Sequence, residues 1–416
     1  MKKLLNFIKR IEPEKGTMIH TLYDGLFTML FTPNEVTSPT GVHIRDRLDL
    51  KRTMVFVVIA LQLCYVFGTY NIGHQHFVAL GMHTGFLQGV HLKLAYGLTK
   101  LLPLFIWTHV VGLGIEFYFA YRRGHPIEEG FLVSGALIPL IMPPDLPIWM
   151  LCLAVAFAVF LGKEAFGGTG MNIWNVALLA RAFVFFAYPT AISGDQVWVA
   201  GFEQVLPGAQ VDYGWWQTSF FNTIFGWFDW ALFDPGASIV DGYTGATPLA
   251  LAYEGGWEQV TEHYSRSAIF WGTIPGSIGE TSKPLIILGG ILLLVTKIAN
   301  WRIIFSGIIG AIVMSMLFNL WGATPFMGVH WLDQLMMGGF WFAIIYMATD
   351  PVTAAGTNFG KFLYGFLIGM IGMIVRVINP AYPEGWMLAI LFMNTMAPLI
   401  DHYVIDFNMK KRLKSA

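Results

Sequence analysis

The sequence predicts an all-α polytopic membrane protein with about ten transmembrane helices, arranged as two five-helix repeats of opposite orientation with broken helices. Composition is the first reason: of 416 residues, 55% are hydrophobic and only 12% are charged, against roughly 25% charged residues in a soluble domain. The second reason is a series of long apolar segments, and the third is a break beside proline that recurs in each half. The net charge of −1 gives no electrostatic basis for nucleic-acid binding.

The first 52 residues are polar and rich in lysine and arginine, so 1–52 is predicted to be a cytoplasmic N-terminal segment. The two cysteines, Cys64 and Cys152, both lie inside apolar segments. This number and placement exclude a disulfide framework, a Cys-ligated iron–sulfur cluster and a c-type haem within this chain.

Ten segments are candidate membrane spans. A spanning helix needs about 20 mostly apolar residues, and fewer where the helix is broken and packed inside protein. We assign five of the segments to a first repeat over 53–189 and five to a second repeat over 283–404. The segments are Thr53–Tyr70, Leu101–Tyr121, Gly130–Met142, Ile148–Gly162, Asn172–Pro189, Lys283–Asn300, Arg302–Trp321, Trp331–Thr349, Lys361–Val377 and Trp386–Val404.

The third segment of each half carries a break. Gly130–Met142 is followed by two prolines and Asp145, and Trp331–Thr349 is followed by Asp350 and a proline. This correspondence suggests an internal repeat. Because five spans is an odd number, the second repeat would be inverted in the membrane, an architecture that places binding sites near the midplane.

The distribution of charge predicts the orientation. Basic residues cluster in 1–52, after the second span, and in the basic tail 405–416, whereas ten acidic residues accompany one basic residue, Arg266, between Ala182 and Ser282. The positive-inside rule therefore places both termini in the cytoplasm and the segment 190–282 outside. Within this outer segment, the tryptophan-rich Phe220–Phe233 suggests an interfacial or re-entrant helix.

The outer segment contains the motif DGYTGAT, which ends at Thr247. One interpretation is a surface turn that contains glycine. The other is a covalent attachment site, because a hydroxyl that accepts a phosphoryl-linked group needs an exposed threonine, small neighbours such as Gly245 and Ala246, and a nearby acid such as Asp241.

A glycine-rich stretch, GGTGMNIWN, precedes the fifth span. Glycine before a helix N-terminus exposes backbone N–H groups and allows a flat ligand to approach closely. Asn172 and Asn175 lie three residues apart, so we expect them to share one helix face. Close packing of a broken helix is the alternative, and the stretch is not a dinucleotide-binding GxGxxG motif.

Several ionisable residues lie at membrane depth, where charges are costly and are usually paired or functional. Arg181 and Arg376 are candidates for structural pairing, and Asp350 could pair with an arginine such as Arg376. The alternative is a cation path, because Na⁺ prefers hard oxygen ligands. The candidates for this path are Glu116, Asp350 and Asp401, with Glu280 gathering cations on the outer side.

Four histidines lie between residues 71 and 99, namely His74, His76, His83 and His91. No carboxylate or cysteine completes a tetrahedral set, so we predict an interfacial loop here and no metal site.

Five stretches together resemble the B subunit of the bacterial sodium-translocating NADH:quinone reductase: DGYTGAT, GKEAFGGTGMNIWN, IPGSIGE, MATDPV and NPAYPEGWMLAILF. The resemblance covers nearly the whole chain in the family's order. The D subunit of the ferredoxin-linked Rnf complex shares the fold and the flavin-attachment motif, but tends to be shorter and to lack so long an N-terminal part. A small-solute channel of the inverted-repeat type is a further alternative, although a channel has no reason to carry a flavin acceptor.

The resemblance implies an electron-transfer subunit of a six-subunit complex in the bacterial inner membrane, surrounded by lipid. Such a subunit carries covalent FMN and non-covalent riboflavin, contributes to ubiquinone reduction and Na⁺ translocation, and leaves NADH oxidation to another subunit. Carried over by motif, FMN is joined to Thr247 through a phosphoester, supported by Asp241, Thr244, Gly245 and Ala246.

The resemblance assigns two further sites. Riboflavin would lie near Gly168, Asn172 and Asn175, where this chain has Asn-Val-Ala in place of the family's Asn-Pro-Ala. A glycine pair of the family that shapes a quinone pocket corresponds to Gly112 and Leu113. The second glycine is therefore replaced here, which weakens that assignment, and small residues at this spacing also mark helix contacts.

Overall fold

The computed structural model describes Pro13, Thr17, Tyr23 and residues 50–124, 130–192, 197–202, 237–241, 243–379 and 385–415. The predicted helix at Phe220–Phe233 and nearly all of 1–52 lie outside these residues. The elements are α1 Leu50–Ala79, α2 Val90–Arg123, α3 Phe131–Ile141, α4 Ile148–Gly162, α5 Val176–Ala187, α6 Pro248–His263, α7 Arg266–Trp271, α8 Lys283–Val295, α9 Trp301–Trp321, α10 Trp331–Met336, α11 Phe340–Phe342, a π-helical turn Ala343–Met347, α12 Asn358–Ile378 and α13 Trp386–Ser415, with 3₁₀ turns at Glu164–Phe166 and Pro189–Ala191.

Six of these helices, α1, α2, α4, α9, α12 and α13, are long and apolar enough to cross a membrane, and α3, α5 and α8 are shorter apolar helices. The eighth predicted span, Trp331–Thr349, is divided into α10, α11 and the π-helical turn. The protein is therefore an all-α polytopic membrane protein, as predicted. The short helices are too brief to span about 30 Å alone, and broken helices of this kind are tolerated where other protein elements surround them.

The predicted loop around the histidines is wrong. α1 continues to Ala79 and α2 begins at Val90, so His74, His76 and His91 are helical and His83 lies in the connecting turn. The end of α1 is polar but buried, since His74 and His76 are 7% and 0% exposed. A hydropathy window underestimates such a helix, because the polar side chains face protein rather than lipid. Among the described residues, no three His, Cys, Asp or Glu side chains could together hold a metal ion.

Several helix contacts recur in both halves, although α1 packs much more closely against α2 than α8 packs against α9. In the first half α2 contacts α4 and α4 contacts α5, and in the second half α9 contacts α12 and α12 contacts α13. Between the halves, α1 contacts α8 and α5 contacts α13. The first helices of the two halves therefore contact each other, and so do the fifth helices. The inverted five-helix repeat stays a prediction.

Glycines allow the closest helix contacts. A Cβ on Gly369 of α12 would lie 2.1 Å from the carbonyl oxygen of Gly307 in α9. Small residues at such contacts let two backbones approach within a membrane, where packing and hydrogen bonds rather than burial from water drive association. The last helix, α13, has 30 residues, or about 45 Å at 1.5 Å per residue. It therefore incorporates residues 405–415 of the basic tail as a continuous extension rather than a separate segment.

Candidate functional site

The DGYTGAT loop is held in place by two tyrosines. The Tyr264 hydroxyl donates to the carbonyl oxygen of Ala246 at 2.9 Å, and the Tyr243 hydroxyl donates to Gln75 Oε1 at 3.2 Å. Burial raises the pKa of both phenols above their ordinary value, so both hydroxyls remain protonated donors. The loop is thereby fastened to α1 on one side and to the junction of α6 and α7 on the other, while Asp241 at its start is exposed.

Thr247 is the N-cap of α6. Its Oγ1 accepts a hydrogen bond from Ala250 N at 3.2 Å, and Pro248 follows at the first helical position. The side chain is half-buried, which corrects the expectation of an exposed loop threonine. The N-terminus of a helix favours negative charge because its first N–H groups are unsatisfied and the peptide dipoles are aligned. An anionic group joined to this hydroxyl would therefore be electrostatically stabilised.

Thr247 lines a cavity of about 210 Å³, which we call the outer cavity. Three cationic side chains, Arg181, Lys283 and Arg376, also line it, and all three are buried. Arg181 Nη1 donates to Glu280 Oε1 at 3.0 Å, and Ser277 Oγ donates to the other oxygen of Glu280. Buried charge is costly unless paired, so Glu280 partly neutralises this cluster.

The break in the second half borders the outer cavity. Arg376 Nη1 donates to the carbonyl oxygens of Gln334 at 2.8 Å and Met337 at 3.2 Å, where α10 ends. These are carbonyls that a broken helix leaves without intrahelical partners. Gly338 follows with φ of 63°, and a Cβ there would lie 2.9 Å from Arg376 Nη2. A Cβ on Gly339 would lie 2.5 Å from Glu280 Cδ, so the glycine pair admits both charged groups.

A second, smaller cavity of about 70 Å³ lies at the start of α5, and we call it the inner cavity. Asn172 and Asn175 both line it. Asn175 is the N-cap of α5, with Oδ1 accepting from Ala177 N and Leu178 N at 3.1 and 3.2 Å. Asn172 precedes the helix and donates to Trp174 O. The two amides therefore reach one cavity but do not share a helix face, which corrects the prediction.

The glycines of the same stretch shape the chain before α5. Gly167, Gly168 and Gly170 have φ of 124°, 108° and 88°, values that only glycine adopts readily. Gly168 does not line the inner cavity, whereas the neighbouring Thr169 does.

Asp350 lines the inner cavity and is held by three donors. It accepts from Val352 N and Thr353 Oγ1, each at 3.1 Å, and from Asn175 Nδ2 at 3.4 Å. Its pairing with Arg376 is therefore not observed, because Arg376 lies at the outer cavity.

The other carboxylates are dispersed. Glu116 forms a buried ion pair with Lys163, which also lines the inner cavity. Asp401 accepts from Gly356 N at 2.6 Å and Thr357 N at 2.9 Å, and so holds the start of α12. Glu280 lies at the outer cavity. Of the four candidates for a cation path, Asp350 lines the inner cavity, Glu116 is bound to Lys163 of its wall, and Glu280 and Asp401 lie elsewhere.

Gly112 serves a helix contact. A Cβ there would lie 1.9 Å from Phe131 Cζ, so the glycine lets the ring of α3 pack against α2. Leu113 is half-buried against the core, and neither residue lines the outer or the inner cavity. The assignment of this pair to a quinone pocket stays a prediction.

The lining residues that were not identified from the sequence as site residues include Lys163, Thr281 and Lys283. Lys283 had been recognised only as the first residue of a span. A lysine at the start of an apolar helix is usually found at the membrane surface, and burial of Lys283 against the outer cavity becomes visible only in the folded chain.

The sequence profile of the NQR2, RnfD, RnfE family matches residues 37–410. The chain belongs to this family. Among its relatives are proteins named as the B subunit of Na(+)-translocating NADH-quinone reductase. That of Chromohalobacter salexigens is 40% identical, with 98% of this chain and 96% of the relative covered. That of Stutzerimonas stutzeri is 41% identical, with 98% of each covered.

Membership of the NQR2, RnfD, RnfE family confirms the resemblance drawn from the five sequence stretches. A third relative, from Pseudomonas paraeruginosa, carries the same name and is 40% identical over 99% of this chain. The match extends along almost the full length of each relative, so it includes the segment 190–282 as well as the apolar helices on either side of it.

Proposed function

We propose that this protein is the B subunit of a Na⁺-translocating NADH:quinone reductase and carries FMN covalently on Thr247. Near-full-length identity to proteins of that name supports the assignment. The single observation that carries the flavin proposal is the placement of the motif hydroxyl: Thr247 caps α6 and lines a cavity with three buried cations.

The residues present fit a phosphoester-linked flavin. The ester phosphate would keep one negative charge beside the N–H groups that begin α6. A cavity of about 210 Å³ is smaller than the roughly 300–1,000 Å³ that enclose whole drug-sized ligands, so it would enclose part of the ring system. When bound, FMN supplies the capacity to accept and pass on electrons. The chain supplies the attachment point, the buried cations and the exclusion of water.

The proposal includes non-covalent riboflavin beside Asn172 and Asn175. These amides match the hydrogen-bonding edge of an isoalloxazine ring, and the inner cavity has room for that edge alone. Asn175 and Arg181 lie six residues apart along α5, or about 9 Å at 1.5 Å per residue. The two cavities are therefore close enough along one helix for neighbouring redox groups.

The same proposal assigns Na⁺ to the region of Asp350, where a carboxylate and the ends of broken helices offer oxygen ligands. Quinone reduction would take place in the complex with partner subunits, and NADH oxidation on another subunit. Both termini would be cytoplasmic, with Thr247 on the outer face of the bacterial inner membrane. The relatives' shared name favours this reading over an Rnf subunit or a solute channel.

Mass spectrometry tests the attachment. The chymotryptic peptide containing Thr247, from protein made in a host with an active flavin transferase, should carry the mass of FMN minus water. In Thr247→Asn, we expect covalent flavin fluorescence on a denaturing gel to disappear while the protein still inserts, because asparagine also caps helices well. Thr261→Asn, an exposed position of α6 beyond the kink at Gly256, is the matched control and should keep the flavin. An unmodified wild-type peptide would contradict the proposal.

A further inference from the structure

The outer cavity holds more buried positive than negative charge. Arg181, Lys283 and Arg376 are 3%, 1% and 0% exposed. Glu280 is the carboxylate that faces them, with Arg181 bound to it and Lys283 and Arg376 within its electrostatic reach. A second acidic residue of the wall, Glu254, is exposed to solvent and accepts from Gln259. The buried part of the cavity is thus suited to an anion.

Two side chains at this cavity, Thr281 and Lys283, can donate further hydrogen bonds. Lys283 Nζ donates to Thr281 O at 2.9 Å, which uses one of its three N–H groups. Thr281 Oγ1 is buried and has no hydrogen-bond partner, although the residue lines the cavity and is 3% exposed. Buried hydroxyls are nearly always paired, so an unpaired one in a cavity wall points to a ligand that supplies the acceptor.

We propose that Thr281 and Lys283 donate hydrogen bonds to the acceptor edge of the flavin ring and, with Arg181 and Arg376, raise its reduction potential. The inference rests on the proposed attachment of FMN at Thr247. Reduction of the ring by two electrons with uptake of one proton adds one negative charge. The electrons come from the preceding NADH-fed carrier of the complex. Cations within a low-dielectric cavity stabilise that added charge.

Lys283 allows this role to be separated from folding. In Lys283→Gln, we expect the two-electron reduction to become at least tenfold less favourable, which corresponds to a fall of about 30 mV in midpoint potential. Lys283→Arg keeps the charge and should stay near the wild-type value. Thr281→Val has nearly the same shape without the hydroxyl, and should lower the potential by a smaller amount. Lys297→Gln, an exposed lysine just beyond the other end of α8, is the matched control.

The measurement is a dithionite redox titration of the purified complex, followed by flavin absorbance. Subtracting the titration of Thr247→Asn isolates the contribution of the covalent FMN, and gel fluorescence reports its occupancy. If Lys283→Gln and Thr281→Val both carry a full complement of covalent FMN and keep the wild-type midpoint potential, this inference is wrong, while the proposed attachment of FMN is unaffected. Should Lys283→Gln fail to assemble, Thr281→Val decides. Absence of covalent FMN from the wild type would overturn the proposed function, and this inference with it.

Discussion

Arg376 is the residue whose removal should most disturb the break in the second half. Its guanidinium is fully buried and donates to the carbonyls of Gln334 and Met337 at the end of α10. Methionine has a similar length but no donor, so Arg376→Met would leave both carbonyls buried and unsatisfied. Each such group costs about 1–3 kcal/mol, so we expect a loss of roughly 2–6 kcal/mol.

The assay is the thermal stability of the detergent-solubilised protein, followed by the loss of its monodisperse peak in size-exclusion chromatography. Arg376→Lys should fall between wild type and Arg376→Met, because one ammonium can donate to both carbonyls without reproducing the planar fork. Arg302→Met is the control: Arg302 is half-buried at the start of α9, and its side chain lies over the ring of Trp301. We expect a change within about 0.5–1 kcal/mol there.

A melting temperature for Arg376→Met equal to that of the wild type would refute this reasoning. It would mean that water or another donor satisfies the two carbonyls, and that the arginine is not what closes the end of α10. Covalent FMN should also be measured in the variant, since Arg376 lines the outer cavity.

Two further predictions concern the inner cavity and the orientation. Asp350→Asn should raise the Na⁺ concentration needed for half-maximal quinone reduction by about tenfold, which corresponds to about 1.4 kcal/mol. Covalent FMN should be retained in this variant. An unchanged Na⁺ concentration in a fully assembled complex would remove Asp350 from the cation path. Cysteine at the exposed Ser238 should react with an impermeant maleimide from outside, and cysteine at the exposed Lys414 only after the membrane is opened, in a background lacking Cys64 and Cys152. The reverse pattern would invert the proposed topology.

The helical architecture was largely predictable, because hydropathy and proline placement are local properties of the chain. The segment Ile148–Gly162 coincides with α4, and Gly130–Met142 differs from α3 by one residue at each end. The extension of α1 through His76 was missed for a physical reason. A polar residue that is buried by other helices has the same hydropathy in the sequence as one exposed to water.

The site was predictable only in part. The motif drew attention to Thr247 and the ends of the broken helices to Asp350, and each of these residues lines a cavity. Which charges meet was not predictable, since Glu116 and Lys163 are 47 residues apart and Arg181 and Glu280 are 99 apart. No periodicity within a single helix specifies contacts between distant elements, and here those contacts decide which acids pair and which face a cavity.

The break in the second half links stability to the chemistry of the outer cavity. A broken helix leaves carbonyls that need a donor, and Arg376 supplies it from α12 while also contributing positive charge to the cavity wall. Substitution of Arg376 therefore changes folding and electrostatics together. Lys283 is different, because its hydrogen bond goes to Thr281 O, two residues away on its own chain. The hydrogen bond described for Lys283 lies within its own segment, so a shifted flavin potential in a fully assembled Lys283→Gln variant would report electrostatics.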